Sequence, residues 1–309
     1  MKLATFAGPS EGPALGVVDG PSVVAMQAAH ERLRGGHSRD LESMLALIQG
    51  GQEALELAGE LAREAPGECR HGLAEVRLLA PLPVPSQIRD FLCFEEHLKN
   101  SFAQAAKLTG QEHEIPAVWY QQPIYYKANR FSVNGPEADV VWPSYSQVMD
   151  YELELACVIG TGGRDIATAD AAGHIFGFTI FNDASARDAQ MIEMGGALGP
   201  AKGKDFDTGN VFGPWIVTPD ELGDPYALEM VARVNGEEWS RGSSSSMHHR
   251  FEDMIAFVSR SETLHPGEIL GSGTVGGGCG LEQGRFLSDG DVIELEIDRI
   301  GVLRNRFVK

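Results

Sequence analysis

The run Asp150-Tyr-Glu-Leu-Glu-Leu-Ala-Cys-Val-Ile-Gly160 carries the side chains best placed to do chemistry. Side chains alternate along a strand, so Glu152 and Glu154 would share one face and Leu153 and Leu155 the other. Two carboxylates side by side at the head of an apolar strand repel each other. A hard divalent cation relieves that repulsion, because carboxylate oxygens are its preferred ligands. A solvated strand face would give the same alternation. A third acid, Asp183, ends the apolar run that begins at Gly177. It would stand at a strand end, where a ligand meets residues of neighbouring strands, or cap a following helix.

Other segments could add to such a site. His97 follows an aromatic residue and two acids at the start of a helical pattern. It could act as a base if a carboxylate fixed its tautomer, or be an ordinary satisfied histidine. Lys204 lies in Leu198-Gly-Pro-Ala-Lys-Gly-Lys204, a loop shaped by glycine and proline. It offers a point cation for a carboxylate or enolate oxygen, or a solvated loop lysine. The glycine-dense stretch Gly271–Glu282 lacks the GxxxxGK[ST] order and no helical pattern follows it. Close approach of its backbone to a small ligand is the better use of those glycines.

Many short strands must position these groups. Strands are expected at Lys2–Phe6, Leu15–Val18 and Ser22–Val24, with a hairpin at Asp19-Gly20. Two helices are expected between Leu41 and Ala65, separated at Gly50-Gly51. Pro81, Pro83 and Pro85 stiffen a linker, dividing a small N-terminal domain, residues 1–80, from residues 81–309. Beyond it a helix over Glu95–Leu108 leads into strands at Ala117–Tyr120, Ile124–Lys127, Glu152–Ile159, Gly177–Phe181 and Trp215–Thr218. Further strands are read at Leu228–Val234, Val292–Ile297 and Val302–Arg306. Helices are read at Ala184–Met194 and Arg250–Arg260, a hairpin at Asn235-Gly236, and a flexible loop tip at Ser243–Ser246. The pattern predicts an α+β, mostly β fold rather than alternating βαβ units.

Composition bounds the partners. The chain has 309 residues and a formal net charge of −19, which argues against nucleic acid or an anionic membrane surface. No apolar run reaches the length of a membrane span, and no secretory h-region opens the chain. Cys69, Cys93, Cys157 and Cys279 form no CxxC pair and suit reduced, buried thiols, so a cytoplasmic location is expected.

Taken together, these segments resemble the fumarylacetoacetate hydrolase family. The resemblance runs from about Pro81 to Lys309 and rests on motifs in order: DYExEL, NDxSARDxQ, LGPxxGKxF, TLxPGxIxxxGT at Thr263–Thr274 and IxRIGxLRN at Ile297–Asn305. It implies a mixed β-sandwich roll around a divalent cation, Mg²⁺ or else Mn²⁺ or Ca²⁺. It also implies that Glu152, Glu154 and Asp183 are metal ligands, with Asp90 as a fourth. His97 then matches the family's general base and Glu282 the acid that orients it. Lys204, Thr274, Tyr126 and Gln190 match positions that bind substrate oxygens or metal-side water. Leu92 stands where a tyrosine is expected, and Leu92-Cys-Phe-Glu-Glu-His97 replaces the GRNYxxH-like segment of smaller members.

The expected activity is metal-dependent hydrolysis of a carbon–carbon bond in a diketo or acylpyruvate-type acid of aromatic or amino-acid catabolism, by a homodimer. Lys204, with Arg187 or Lys127, would admit the anionic substrate. Isomerisation, decarboxylation or dehydration of a 2-oxo acid is the alternative, since the same metal–enolate chemistry serves it without an attacking water. The presence of both His97 and Glu282 favours hydrolysis. A non-catalytic metal-binding protein is the third reading.

Overall fold

The computed structural model describes residues 1–8, 12–110 and 112–309. Among these, twelve strands join one mixed sheet. Its central order runs Lys2–Ala7, Asn210–Val217, Ile175–Asp183, Leu153–Ile159, Glu268–Gly271, Gln87–Phe91 and Tyr125–Ala128. Pro13–Asp19, Ser22–Ala25 and Arg70–Gly72 extend it beyond the first strand. A second sheet of five strands has the order Glu237–Ser243, Glu229–Val234, Val292–Ile297, Gly301–Val308 and Asp139–Val141. The fold is α+β with strands predominating, as the sequence pattern predicts.

Period-two alternation of side chains between two cores explains how the layers pack. Leu153, Leu155, Cys157 and Ile159 enter a core shared with Leu295, Ile297, Leu303 and Phe307 of the second sheet. Ala156 and Val158, on the other face, join Leu47, Ile48 and Leu61 of a helix. That helix, Met44–Glu64, is capped by Ser43, whose Oγ accepts from the Ala46 amide at 3.1 Å. It breaks at Gly51 (φ 65°, ψ −149°), where two helices were expected. The Asn235-Gly236 hairpin is present, with both residues at positive φ (52° and 80°), as a tight primed turn requires.

The central parallel pair aligns Leu270 with Arg89 and Gly271 with Asp90. On its outer face the Arg89 guanidinium pairs with the buried Glu268 carboxylate and, at 2.5 Å, with Glu262. The two strands are thereby locked in register.

Four expectations need correction. Ala117–Tyr120 is not a strand but the start of a short helix, Ala117–Gln121. Pro116 precedes it, and Trp119 anchors it by donating from Nε1 to the Leu92 carbonyl at 2.6 Å. The helix expected from Ala184 begins at Arg187, because Ser185–Ala186 pairs with Met149–Asp150. Ser243–Ser246 is no loose tip: Ser244 is buried, its amide donates to the Leu228 carbonyl, and its Oγ accepts from the Leu228 amide, both at 3.0 Å. The glycine-dense stretch also ends in a short helix, Gly280–Gln283.

Candidate active site

Strand alternation and three strand ends bring four acids together. Asp90 is the last residue but one of its strand, Glu154 lies in the next strand but one, Asp183 ends the strand beside that, and Glu152 directly precedes the strand that opens at Leu153. Oxygens of all four lie within 4.8 Å of one another, and all four residues are buried. Backbone contacts hold them there: the Gly273 amide donates to Glu154 Oε2 at 3.0 Å, and the Glu152 amide donates to Asn182 Oδ1 at 3.1 Å.

Cations and a phenol complete one flank. Lys204 Nζ donates to Glu152 Oε2 at 2.7 Å and to Asp183 Oδ2 at 2.6 Å. The Tyr126 hydroxyl donates to Asp183 Oδ2 at 2.8 Å. Arg187 bridges Glu152 Oε1 at 2.7 Å and Asp150 Oδ2 at 2.7 Å. Asp90 Oδ1, Glu154 Oε1 and Asp183 Oδ1 have no hydrogen-bond partner among the described residues.

The electrostatics follow from burial and crowding. Burial, with Asp183 alongside, pushes the Asp90 carboxyl well above its ordinary range. Burial and Asp90 do the same to Glu154. Burial also lifts Asp183, to about 6, against the pull of Lys204. Burial would raise Glu152 as well, but Lys204 and Arg187 outweigh it and hold that carboxyl below the usual range. Lys204 loses water to burial, yet Asp183 and Glu152 keep it a cation.

Beside the acids stands a buried dyad. His97 Nδ1 and Glu282 Oε1 are 2.7 Å apart. Glu282 Oε2 accepts from Asn100 Nδ2 at 2.9 Å and from the Gly277 amide at 2.6 Å, so the carboxylate is fixed. A fixed carboxylate at Nδ1 holds the ring with that nitrogen protonated and leaves Nε2 as an acceptor.

Residues 86–308 match the family model described as the fumarylacetoacetate (FAA) hydrolase C-terminal domain. The chain belongs to the fumarylacetoacetate hydrolase family. Human oxaloacetate tautomerase FAHD2A, mitochondrial, is 34% identical over 317 residues, covering 100% of this chain and 92% of that protein. Oxaloacetate tautomerase YisK of Bacillus subtilis (strain 168) is 33% identical over 304 residues, covering 94% of each. Among solved structures, maleylpyruvate hydrolase from Sphingobium sp. SYK-6, in complex with manganese(II) ion and pyruvate, has a TM-score of 0.75 at 27% identity. That likeness covers 100% of this chain and 99% of the other. Family membership makes this an enzyme fold whose members act on small acids. No described helix is long and apolar enough to cross a membrane.

Within this family member, a divalent cation fits the acid cluster on the structure's own terms. Three orphaned carboxylate oxygens lie together in a buried site, and a set made only of hard oxygen donors suits Mg²⁺, Mn²⁺ or Ca²⁺. The backbone also leaves room there: a Cβ on Gly271 would lie 2.5 Å from Asp90 Oδ1 and 3.0 Å from Glu154 Oε2.

The remaining expected residues gather around this centre. Thr274 is buried, directly after the Gly273 amide that holds Glu154. Gln190 is half-buried, accepts from Arg187 Nη1 at 2.9 Å and packs on Gly203, beside Lys204. Lys127 does not join them. It is exposed on the face opposite Tyr126 and pairs with Glu262 at 3.5 Å. Arg187 is present but committed to Asp150 and Glu152, so it supports the acids rather than offering a free cation.

Three contributors were not anticipated. Asp150 takes Arg187 on one side and the Gly280 and Leu281 amides, at 2.8 and 2.9 Å, on the other. It therefore ties the acid cluster to the helix that carries Glu282. Asn100, three residues after His97, and Gln104, which donates to the Glu282 carbonyl at 3.1 Å, hold that helix from the opposite side. Their signal was the helical spacing of 97, 100 and 104, one stripe on one face.

Proposed function

We propose that this protein is a keto–enol tautomerase of a small 2-oxo diacid of the oxaloacetate type, dependent on a divalent cation. The observation that carries the reading is the fixed His97–Glu282 pair set beside four buried carboxylates: a positioned base next to a cation site is what enolisation needs. The names of two full-length relatives at 33–34% identity support oxaloacetate as substrate.

Asp90, Glu152, Glu154 and Asp183 would hold the cation, which when bound polarises a 2-oxo acid and favours its enolate form. The chain's own groups do the rest. Glu282 keeps the proton of His97 on Nδ1, so Nε2 takes a proton from the methylene carbon and returns it to the neighbouring oxygen. Glu282 also stabilises the imidazolium formed between those steps. Lys204 Nζ, oriented by Glu152 and Asp183, keeps a third N–H for the developing oxyanion, while the Tyr126 hydroxyl, its O–H donating to Asp183, holds that carboxylate in place. Thr274 and Gln190 would orient the substrate's carboxylates. Four buried free cysteines support a reducing compartment.

Hydrolysis is the second reading, because a base held by Glu282 can equally deprotonate water, and the Sphingobium neighbour is a maleylpyruvate hydrolase. One experiment separates the two. The enol absorbance of oxaloacetate is followed with Mg²⁺ or Mn²⁺, with and without chelator, while acylpyruvate, fumarylpyruvate and fumarylacetoacetate are assayed for cleavage products. Accelerated enol–keto exchange that chelator abolishes is expected, without cleavage. Cleavage of an acylpyruvate with no effect on oxaloacetate would replace the tautomerase reading with the hydrolase one.

A further inference from the structure

A second set of metal-binding atoms lies at the base itself. Cys279 Sγ donates to Glu282 Oε1 at 3.5 Å and lies 4.0 Å from His97 Nδ1. With the 2.7 Å between Nδ1 and Oε1, these atoms form a triangle of sulfur, nitrogen and oxygen, all three residues buried. A tetrahedral zinc ion, with bonds of about 2.3 Å to sulfur and 2.0–2.2 Å to nitrogen or oxygen, spaces its donors about 3.3–3.6 Å apart. The edge from sulfur to Glu282 already has that spacing, and the edge from sulfur to His97 needs to shorten by about 0.4 Å. The third needs to widen by about 0.6 Å, a small rotation of the Glu282 carboxylate.

We propose that Cys279, His97 and Glu282 form a capture site for one soft divalent cation of the zinc type, whose occupation silences His97. Softness separates this site from the acid cluster: a thiolate and an imidazole select zinc or cadmium, whereas carboxylates alone suit magnesium or manganese. Asn100 and the Gly277 amide bind Glu282 Oε2, which leaves Oε1 for the ion. Solvent or a substrate oxygen takes the fourth position. Cys69, Cys93 and Cys157 are also free and buried, but none belongs to such a group among the described residues.

Inhibition follows from the tautomer. The Cys279 thiol gives up its proton, and the Nδ1 proton is displaced as that lone pair binds the ion. A neutral imidazole bound through Nδ1 must carry its proton on Nε2. The nitrogen that faces the substrate then has no lone pair to accept with. Net, one proton leaves the protein for each ion bound.

Cadmium tests binding without relying on activity, because Cd²⁺–thiolate bonds absorb in the ultraviolet. With Mg²⁺ saturating, Cd²⁺ should produce one thiolate band per chain, and Zn²⁺ should displace it. Cys279→Ser and Cys279→Ala should lose the band. In the wild-type cysteine background, His97→Asn should weaken Cd²⁺ by more than the roughly 10–100-fold that loss of an outer-shell partner costs. Zn²⁺ should inhibit the wild type and leave each Cys279 variant at its own uninhibited rate. A band that persists in both Cys279 variants, or undiminished affinity in His97→Asn, would overturn the proposal. So would zinc inhibition that excess Mn²⁺ relieves and Cys279 replacement does not. The silencing rests on His97 acting as the base; the absorbance does not, so an inactive enzyme with an intact band would fault the functional reading alone.

Discussion

Gly271→Ala is the sharpest probe of the acid cluster, because it alters none of the acids. The methyl would sit 2.5 Å from Asp90 Oδ1, 2.9 Å from Phe181 Cδ1 and 3.0 Å from Glu154 Oε2. Phe181 cannot retreat, being stacked on Phe212 with ring centroids 4.4 Å apart. The carboxylates must give way instead. Restoring an ordinary contact of about 3.4 Å moves the Asp90 oxygen by about 0.9 Å and the Glu154 oxygen by about 0.4 Å. Overpacking of this kind destabilises by about 1–3 kcal/mol, and a misplacement near 1 Å lowers turnover about 10²-fold. Mn²⁺ affinity by calorimetry and turnover at saturating Mn²⁺ should both fall, in a protein that still melts cooperatively. Gly173→Ala, where an added Cβ meets nothing within 4 Å, serves as control. A folded Gly271→Ala protein with wild-type Mn²⁺ affinity would refute the cation site.

Removing the base should separate chemistry from metal binding: His97→Asn should lose about 10²–10⁴-fold in turnover and keep its Mn²⁺ affinity. Adding Glu282→Gln should cost little more, since both act on one proton, and steady-state rates of the three variants check this. Lys204→Met leaves Asp183 without a cationic partner and Glu152 with Arg187 alone, so the metal-free protein should lose about 3–5 kcal/mol in denaturant titrations. Mn²⁺ should restore more stability there than in the wild type. Stability should also depend on pH in a definite sense. Asp183 is lifted to about 6, so from the ordinary carboxylate range up to that value the folded metal-free protein binds more protons than the unfolded chain. Its Tm should therefore fall as pH rises through that window. The Tm gain on adding Mn²⁺ should grow over the same window, and thermal melts from pH 4 to 7 with and without the ion measure both.

Much of the centre was legible because strand geometry is local. Alternation put Glu152 and Glu154 on one face, and the end of an apolar run put Asp183 at a strand terminus. What alternation could not supply was partners. Whether the acids faced water or one another depended on Gly271 lying opposite Asp90, a pairing between distant strands. Lys204 reads as a loop lysine from its neighbours, yet it is buried against two of the acids. Lys127 looked as available as Tyr126, but adjacent strand residues point to opposite faces and only one could reach the centre. Ala117–Tyr120 reads as the first of a run of strands, but the indole bond to Leu92, invisible in the sequence, anchors a short helix there instead.

The parallel pair at the centre also sets an order of events during synthesis. Arg89 and Glu268, which lock its register, are 179 residues apart. At about 5–20 residues per second, the chain carrying Asp90 waits roughly ten to forty seconds for the strand that faces it. For about the last half of that interval, once Asp183 has been made, Asp90, Glu152, Glu154 and Asp183 are all translated but lack the backbone that aligns them. A growing chain thus holds its most repulsive carboxylates apart in water until nearly nine-tenths of it has been made. Cation capture becomes a late folding step, and truncation before Gly271 leaves acids without a site.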